Sequence, residues 1–428
     1  MLIEFRVENH RSLRDEQVLT MEAGRVGDEA DTRPRKIPGH SESLLTVAGL
    51  YGANASGKSN VLAALAFMRE AVIESHRSWE PNEEIPRDPF AWGSKKSEPS
   101  LFEATFILDS VRYQYGFLAS DNYFLEEWLY AWPNGKKQVW YERDNNTFKF
   151  GENLKGENKL IESVTRPNAL FLSAAVQHNH PQLERIYSWF RAIQPINLLV
   201  DWHSYRDESH DVSLDRLYDA AIQDESRQTQ LSDENTIESV NERFRNFLRR
   251  ADIGIVDLRV EKDESGDLYR YLRVPSYSYY LKHQSNFDDA WLPLRKESHG
   301  TRMLFSIAVP ILECLEKGGV LLVDELERSL HPSIARQIIY QFNDQKANPK
   351  NAQIIFTTHD TNLLGTTVGE PALRRDQVWL TEKDAEGATV LYPLTDYKPR
   401  KAENLERGYL QGRYGAIPFL GDFLVAEE

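Results

Sequence analysis

Cysteine is nearly absent. Cys314 alone stands among 428 residues, which leaves it no partner for an intramolecular disulfide and rules out a cysteine-rich metal site. No stretch approaches about 18 uninterrupted apolar residues, so no helical membrane span is expected. Positive charge is in short supply: 51 Lys and Arg face 66 Asp and Glu, for a formal net charge of −15 and a pI near 5.3. Non-specific nucleic-acid binding rests on phosphate neutralisation by Lys and Arg. Bulk charge therefore lends DNA binding no support and points mildly toward protein partners, although an acidic chain can still carry a basic groove. Internal repeats and low-complexity tracts are missing too. Met1-Leu2-Ile3-Glu4-Phe5-Arg6-Val7 alternates as a strand does and lacks the basic-then-apolar layout of a secretion signal, so the cytoplasm is the expected compartment. What is present is an ordinary globular composition, 41% hydrophobic and 27% charged. The length suits two or three domains, or one large α/β domain carrying an insertion.

The most specific pattern is Gly52-Ala53-Asn54-Ala55-Ser56-Gly57-Lys58-Ser59, which matches G-x-x-x-x-G-K-[ST] at every fixed position. Glycines let successive backbone N–H groups turn inward around phosphate oxygens. Lys58 is expected to reach the β- and γ-phosphates, and the Ser59 hydroxyl to ligate Mg²⁺. The context fits: Leu44–Leu50 reads as a buried strand leading in, and Val61–Phe67 as a helix leading out with its N-terminus toward the phosphates. The nucleotide-contacting set is Gly52, Asn54, Ala55, Ser56, Gly57, Lys58, Ser59 and Asn60.

In a second motif, Gly319-Val320-Leu321-Leu322-Val323-Asp324-Glu325 reads as a buried strand ending in two carboxylates, with Asp324 lying 265 positions beyond Ser59. Asp324 is expected to hold Mg²⁺ through water, and Glu325 to act as general base toward the attacking water. A buried strand followed by a solvated acidic turn would look the same in isolation. So long a gap requires inserted material. Helical patterns at 214–222 and 237–244 place it between about 181 and 287, separating an N-terminal lobe (1–180) from a C-terminal lobe (288–428). Residues 80–160 look β-rich, with a hairpin turning at Asp109-Ser110. A second hairpin joins 377–381 to 388–392. After Asp360 only 68 residues remain, too few for an appended nuclease domain.

Two further segments complete the pattern. Glu297-Ser298-His299-Gly300-Thr301-Arg302 precedes a helical stretch, and a Ser-x-Gly turn there presents N–H groups and a hydroxyl to an anion; a plain helix N-cap is the competing reading. Ile354-Ile355-Phe356-Thr357-Thr358-His359-Asp360 is an apolar strand ending in a histidine.

Phosphate loop, Ser-x-Gly turn, double-acid strand and strand-end histidine stand in the order found in ABC-type ATPase heads. The long insertion resembles the structural-maintenance, Rad50 and RecF branch. More narrowly, Phe5–Leu13, Glu297–Arg302, Asp324–Pro332 and Gly412–Pro418 resemble the AbiLi/RloA-type ATPases of prokaryotic defence modules, over nearly the whole chain. The chain is also similar to the ATPase half of overcoming-lysogenization-defect nucleases, without their Toprim domain.

The resemblance implies an α/β ABC-type P-loop NTPase head with a β-rich N-terminal lobe and a helical insertion, hydrolysing ATP with Mg²⁺. It implies a head-to-tail homodimer in which Ser298 and Gly300 of one subunit meet the γ-phosphate held by Lys58 of the other. His359 becomes the switch histidine, and Ser329-Leu330-His331 a link between sites. Gln177 falls at the position where a glutamine senses Mg²⁺, with Gln114 as the alternative. Asn9 and Arg11 are expected near the nucleotide. The signature departs from Ser-Gly-Gly through His299. A separate effector, such as a Toprim-like nuclease, is the implied partner. The alternative is a DNA-clamping repair ATPase of RecF or Rad50 type, against which count the short arms, the acidic balance and the missing zinc-hook Cys pair. His178 and His180 read as non-ligands for want of a third ligand. Arg243–Arg250 reads as a solvated helix face. Asp207–Asp211 reads as a polar loop.

Overall fold

The computed structural model describes residues 1–26, 30–198, 233–251, 254–263, 276–328, 330–366, 369–400 and 403–418. They fall into two compact units. One holds 1–199, 318–326 and 338–428; the other holds 200–317 and 327–337. The first unit opens with β1 (Leu2–Glu8), β2 (Gln17–Thr20), β3 (Arg35–Lys36), β4 (Ser43–Leu44), β5 (Val47–Gly52) and α1 (Lys58–Glu74). It continues through β6 (Ser100–Leu108), β7 (Val111–Ala119), β8 (Phe124–Trp132), β9 (Gln138–Asp144) and β10 (Thr147–Phe150). Then come α2 (Asn158–Val164), α3 (Phe171–Gln177), α4 (Leu183–Arg191) and β11 (Ile193–Ile196). The second unit contributes α5 (Asp233–Arg250), β12 (Ile255–Asp263), β13 (Ser276–His283), β14 (Trp291–Pro293) and α6 (His299–Lys317). The remaining elements are β15 (Val320–Val323), α7 (Pro332–Asn343), β16 (Gln353–Thr357), β17 (Val378–Lys383), β18 (Thr389–Pro393) and α8 (Leu405–Leu410).

Six strands in the order β11-β15-β16-β5-β17-β18 form the sheet that carries the motifs. All pairs are parallel except β17 with β18. Val320–Val323, Gln353–Thr357 and Val47–Gly52 are buried throughout, as strands of a parallel sheet covered on both faces must be. Val323 stands opposite Phe356, and Phe356 opposite Gly49. The double acid, His359 and the phosphate loop therefore all leave from one sheet edge, at the strands' C-terminal ends, where ligands of such sheets bind.

A second sheet, β10-β9-β8-β7-β6-β1-β2, is antiparallel. Its β6–β7 hairpin turns at Asp109 (φ 49°) and Ser110 (φ 63°), two left-handed residues as a two-residue hairpin requires. Helix α1 is buried on nearly every side, from Val61 to Ile73, because apolar surfaces flank it. Phe67 on α1 meets Phe102 of the antiparallel sheet at 4.7 Å between ring centroids. Trp140 is buried in that sheet, and Trp128 donates to Glu103 at 2.9 Å.

The insertion differs from the sequence expectation in extent and kind. Ile193 pairs with Val320 and Ile196 with Val323, so β11 is an edge strand of the nucleotide-site sheet, and the chain past residue 181 still belongs to that core. The second unit is not purely helical: α5, which covers the pattern at 237–244, is joined by the three-stranded sheet β12-β13-β14. Phe305 of α6 packs on Phe244 and Tyr279 at 5.4 and 5.0 Å, which ties the Ser-x-Gly helix to this unit. The helical pattern at 214–222 and the loop at 207–211 lie outside the described residues.

Glu127 fastens the antiparallel sheet to α3. Fully buried, its carboxylate accepts from the Tyr115 and Tyr141 hydroxyls at 3.0 and 2.7 Å and from the Phe171 and Leu172 N–H groups at 2.7 and 3.1 Å. Arg143 lies 3.9 Å away. Burial pushes the carboxyl up, and Arg143 followed by these donors opposes that shift. Removing the carboxylate would strand four donors and a buried cation. Glu127→Ala should therefore cost about 3–5 kcal/mol in chemical denaturation, and a loss below about 1 kcal/mol would contradict this role.

Candidate functional site

The phosphate loop needs backbone that side chains resist. Gly52 and Gly57 have φ of 159° and 104°, and Ala55 sits left-handed at 61°. A Cβ on Gly57 would lie 2.0 Å from Thr389 Oγ1 and 2.9 Å from Ser12 Oγ, so glycine is required there by space as well as by φ. Lys58 opens α1. Its side chain is buried, and Nζ donates to the Gly52 and Ala53 carbonyls at 2.9 and 3.0 Å. The cation is thereby held across the loop it would serve.

The two distant motifs meet at Asp324. Ser59 Oγ donates to Asp324 Oδ1 at 2.8 Å, and Thr357 Oγ1 donates to the same oxygen at 2.6 Å. The Thr357 hydroxyl also accepts from the Glu325 N–H at 2.8 Å. One hydroxyl thus orients the Asp324 carboxylate and fixes the backbone of Glu325, which is left-handed at φ 51° and exposes its side chain. Asp324 N–H is engaged by the Ile196 carbonyl at 3.1 Å, so the edge strand β11 also supports this turn.

A row of hydroxyls braces the loop from behind. Ser56 Oγ lies 2.6 Å from Thr381 Oγ1, and Thr389 Oγ1 donates to the Ser56 carbonyl at 2.8 Å. Ser12 Oγ lies 2.7 Å from Thr389 Oγ1 and accepts from the Asn60 amide at 2.6 Å. The β17–β18 hairpin and the turn after β1 therefore grip the loop together. The Asn60 side chain is spent on this brace. Tyr51 adds a link to the segment after β16, its hydroxyl donating to the Asp360 carbonyl at 3.0 Å.

The other expected site residues are placed unevenly. His359 is exposed just past β16, on the same edge as the loop. Asn54 and Ala55 are exposed at the loop's crest, while Ser56 is buried by its brace. Gln177 is not brought to the site. Its neighbour His178 packs on His76 at 5.9 Å between ring centroids, and Ser173 Oγ accepts from the His76 N–H. His76 follows α1, 18 residues past Lys58, roughly 25 Å along the helix at 1.5 Å per residue. The apolar run before Gln177 is the short helix α3 packed under the far end of α1, so the magnesium and nucleotide roles expected of Gln177 find no support here. Gln114, the alternative, stands mid-strand in β7 opposite Thr105.

Asn9 is fully buried, with its amide on the Lys95, Glu98 and Pro99 carbonyls, and it is structural. Arg11 pairs with Asp88 at 3.1 Å. His10 is buried between Phe67 and Phe102, and burial pushes it down to about 3, so it is a neutral core residue. His180 is bonded by Asn158 at 3.0 Å and by the Leu183 N–H at 3.3 Å. Ser298 and Gly300 lie in the second unit. There Ser298 caps α6, accepting from the Thr301 N–H at 3.1 Å, so the N-cap reading of this segment holds. Ser329 lies outside the described residues. Sequence reasoning missed Thr357, Thr381 and Thr389 as site supports. Thr357 alone carried a signal, two positions before His359.

The donor set at the junction suits magnesium: one carboxylate and one hydroxyl, to which water and phosphate oxygens would add the rest of six oxygens. Among the described residues no group of three or more His, Cys, Asp or Glu forms a metal-ligand cluster.

A family model described as "AAA domain, putative AbiEii toxin, Type IV TA system" matches residues 47–365. No curated protein matches the chain. Among solved structures, the chain is similar to "Crystal structure of the SmcHead bound to the C-winged helix domain of ScpA", with a TM-score of 0.46 and 12% identity over 93% of this chain and 99% of that one. The "SMC head domain from Thermotoga maritima" gives 0.41 and 14% over 92% and 98%. The Smc head domain with an extended coiled coil, bound to the C-terminal domain of ScpA derived from Pyrococcus furiosus, gives 0.44 and 10% over 93% and 97%.

The junction makes a specific demand on Thr357. Thr357→Val should weaken Mg²⁺-dependent nucleotide binding by about 10–100-fold, the range for residues that orient a metal ligand, and Thr357→Ser should restore most of it. Calorimetric titration with and without Mg²⁺ checks this; equal affinity in the valine variant would remove Thr357 from the site.

Proposed function

The chain belongs to the AAA-domain family whose model matches residues 47–365, and from that premise we propose that it is an ATP-hydrolysing, ABC-type dimeric switch controlling a separate effector in a prokaryotic defence system. The observation that carries the ATPase reading is the 2.8 Å bond from Ser59 to Asp324, which joins the phosphate loop to the double acid. Magnesium and ATP, when bound, supply the reacting phosphoryl group and neutralise much of its charge. The protein's part is positioning and electrostatics. Loop N–H groups and Lys58 hold the phosphates, and Ser59 and Asp324 hold the ion. Glu325, exposed beside Asp324, takes a proton from the attacking water. His359, exposed on the same edge, contacts the γ-phosphate and reports its loss.

The exposure of Glu325 and His359 supports completion of the site by another subunit, whose Ser298 and Gly300 supply the α6 N-terminus. The motif order supports the dimer, and the family's description, which names a putative AbiEii toxin of a type IV TA system, supports the defence role. A separate nuclease as effector rests on the sequence resemblance. The cytoplasm is the proposed compartment.

Glu325→Gln should retain ATP binding, lose turnover by at least about 10²-fold, as expected for a missing general base, and accumulate as a dimer in light scattering. Lys58→Ala should lose ATP binding altogether. Unchanged hydrolysis in both variants would end the ATPase reading. The DNA-clamping alternative has its own readout: turnover stimulated several-fold by duplex DNA alone, at physiological salt, would favour it over effector control. The formal net charge of −15 predicts no such stimulation.

A further inference from the structure

Basic side chains are outnumbered by acidic ones in this chain, yet three of them converge on a cavity that the nucleotide chemistry does not use. About 290 Å³ is lined by Arg25, Val26, Arg375, Thr395, Lys398 and Pro399. Its place in the fold is set by register. Strand β17 runs parallel to β5, with Val378 opposite Gly49 and Thr381 opposite Gly52. Arg375 precedes β17. Thr395, Lys398 and Pro399 follow β18, whose Pro393 pairs back with Trp379. The cavity therefore lies at the N-terminal end of β17, roughly 15–20 Å from the edge bearing the phosphate loop at about 3.3 Å per residue.

Among the described residues no carboxylate lines this cavity. Two acids on the adjoining segments are already engaged: Asp376 binds Arg374 and the Gly24 N–H, each at 2.8 Å, and Asp31 binds Arg33 and Arg374 at 2.8 Å. Among the described residues no carboxylate pairs with Arg25, Arg375 or Lys398. The Arg375 guanidinium is held in place by the Pro399 and Arg400 carbonyls at 2.9 and 2.5 Å, which leaves further N–H donors for another acceptor. Lys398 adopts left-handed backbone at φ 48°, a conformation lysine rarely takes. Strain of this kind gathers where a side chain must be presented in one direction.

We propose that this cavity is a second anion site, one that takes the phosphate group of a small phosphorylated ligand. Two guanidinium groups, an ammonium and a hydroxyl form a recognition set for phosphate oxygens, and a fixed arginine can grip them in bidentate fashion. The volume is at the small end of small-ligand pockets. A nucleic-acid strand instead requires cations spread along a groove with aromatic platforms for bases, and this lining has neither. The proposal is independent of the ATPase reading, because the cavity and the phosphate loop share no residue.

The test uses the full chain carrying Lys58→Ala, which disables the phosphate loop, titrated with inorganic pyrophosphate in a calorimeter. One site should remain, weakened at least tenfold by Lys398→Ala and again by Arg25→Ala, both exposed positions whose variants should melt as the parent does. Arg375→Ala should abolish binding, and Arg375→Lys should recover part of it. No binding by the Lys58→Ala protein, or binding indifferent to the Lys398 and Arg25 substitutions, overturns the proposal. So does a 12-nucleotide single strand that binds this protein more tightly than pyrophosphate and is displaced by salt, since that outcome makes the cavity part of a nucleic-acid track.

Discussion

Everything at the nucleotide edge depends on Asp324 having two hydroxyl neighbours. Ser59 arrives from the first turn of α1, Asp324 from the end of β15 and Thr357 from the end of β16, and all three meet on one carboxylate oxygen. That meeting requires β5, β16 and β15 to be parallel neighbours in register, so that their ends fall at one edge. Much of the chain between these motifs is constrained only to return β15 to its place.

The phosphate loop is itself a strained element, with positive φ at Gly52, Ala55 and Gly57. Such backbone persists when its surroundings over-determine it. Here that is done by hydroxyls rather than by apolar packing: Ser12 from the turn after β1, Thr381 from β17 and Thr389 from the start of β18 reach Ser56 and Asn60. Each bond is of ordinary strength, and the set is cooperative because the groups share partners. The turn after β1, the β17–β18 hairpin and the loop are thus one mechanical body. On the other side of α1, Glu127 secures α3 to the antiparallel sheet.

The sequence was legible where the chemistry is local. The phosphate loop, the double acid and the strand-end histidine are contiguous motifs, and each was placed on its correct element. Both hairpins were readable from alternation and turn residues. Partners joined only by topology were not legible. Ser56 and Thr381 are 325 positions apart, and no periodicity announces their bond. The insertion boundary failed for the same reason: β11 looks like the start of inserted chain until its pairing with β15 is seen. Gln177 was misplaced because an apolar run does not reveal which end of α1 it will pack against. Ser298 illustrates an ambiguity of another kind, since an N-cap and a signature serine are the same atom in the same turn.

The central claim is that Ser59 and Asp324 together form a metal–nucleotide site. The most direct measurement is electron paramagnetic resonance of Mn²⁺, substituted for Mg²⁺, with ATP and the full chain. The account predicts one Mn²⁺ bound per chain only when ATP is present, and loss of that signal in Asp324→Asn while the protein remains folded. Equal Mn²⁺ binding by Asp324→Asn and the parent protein would contradict it.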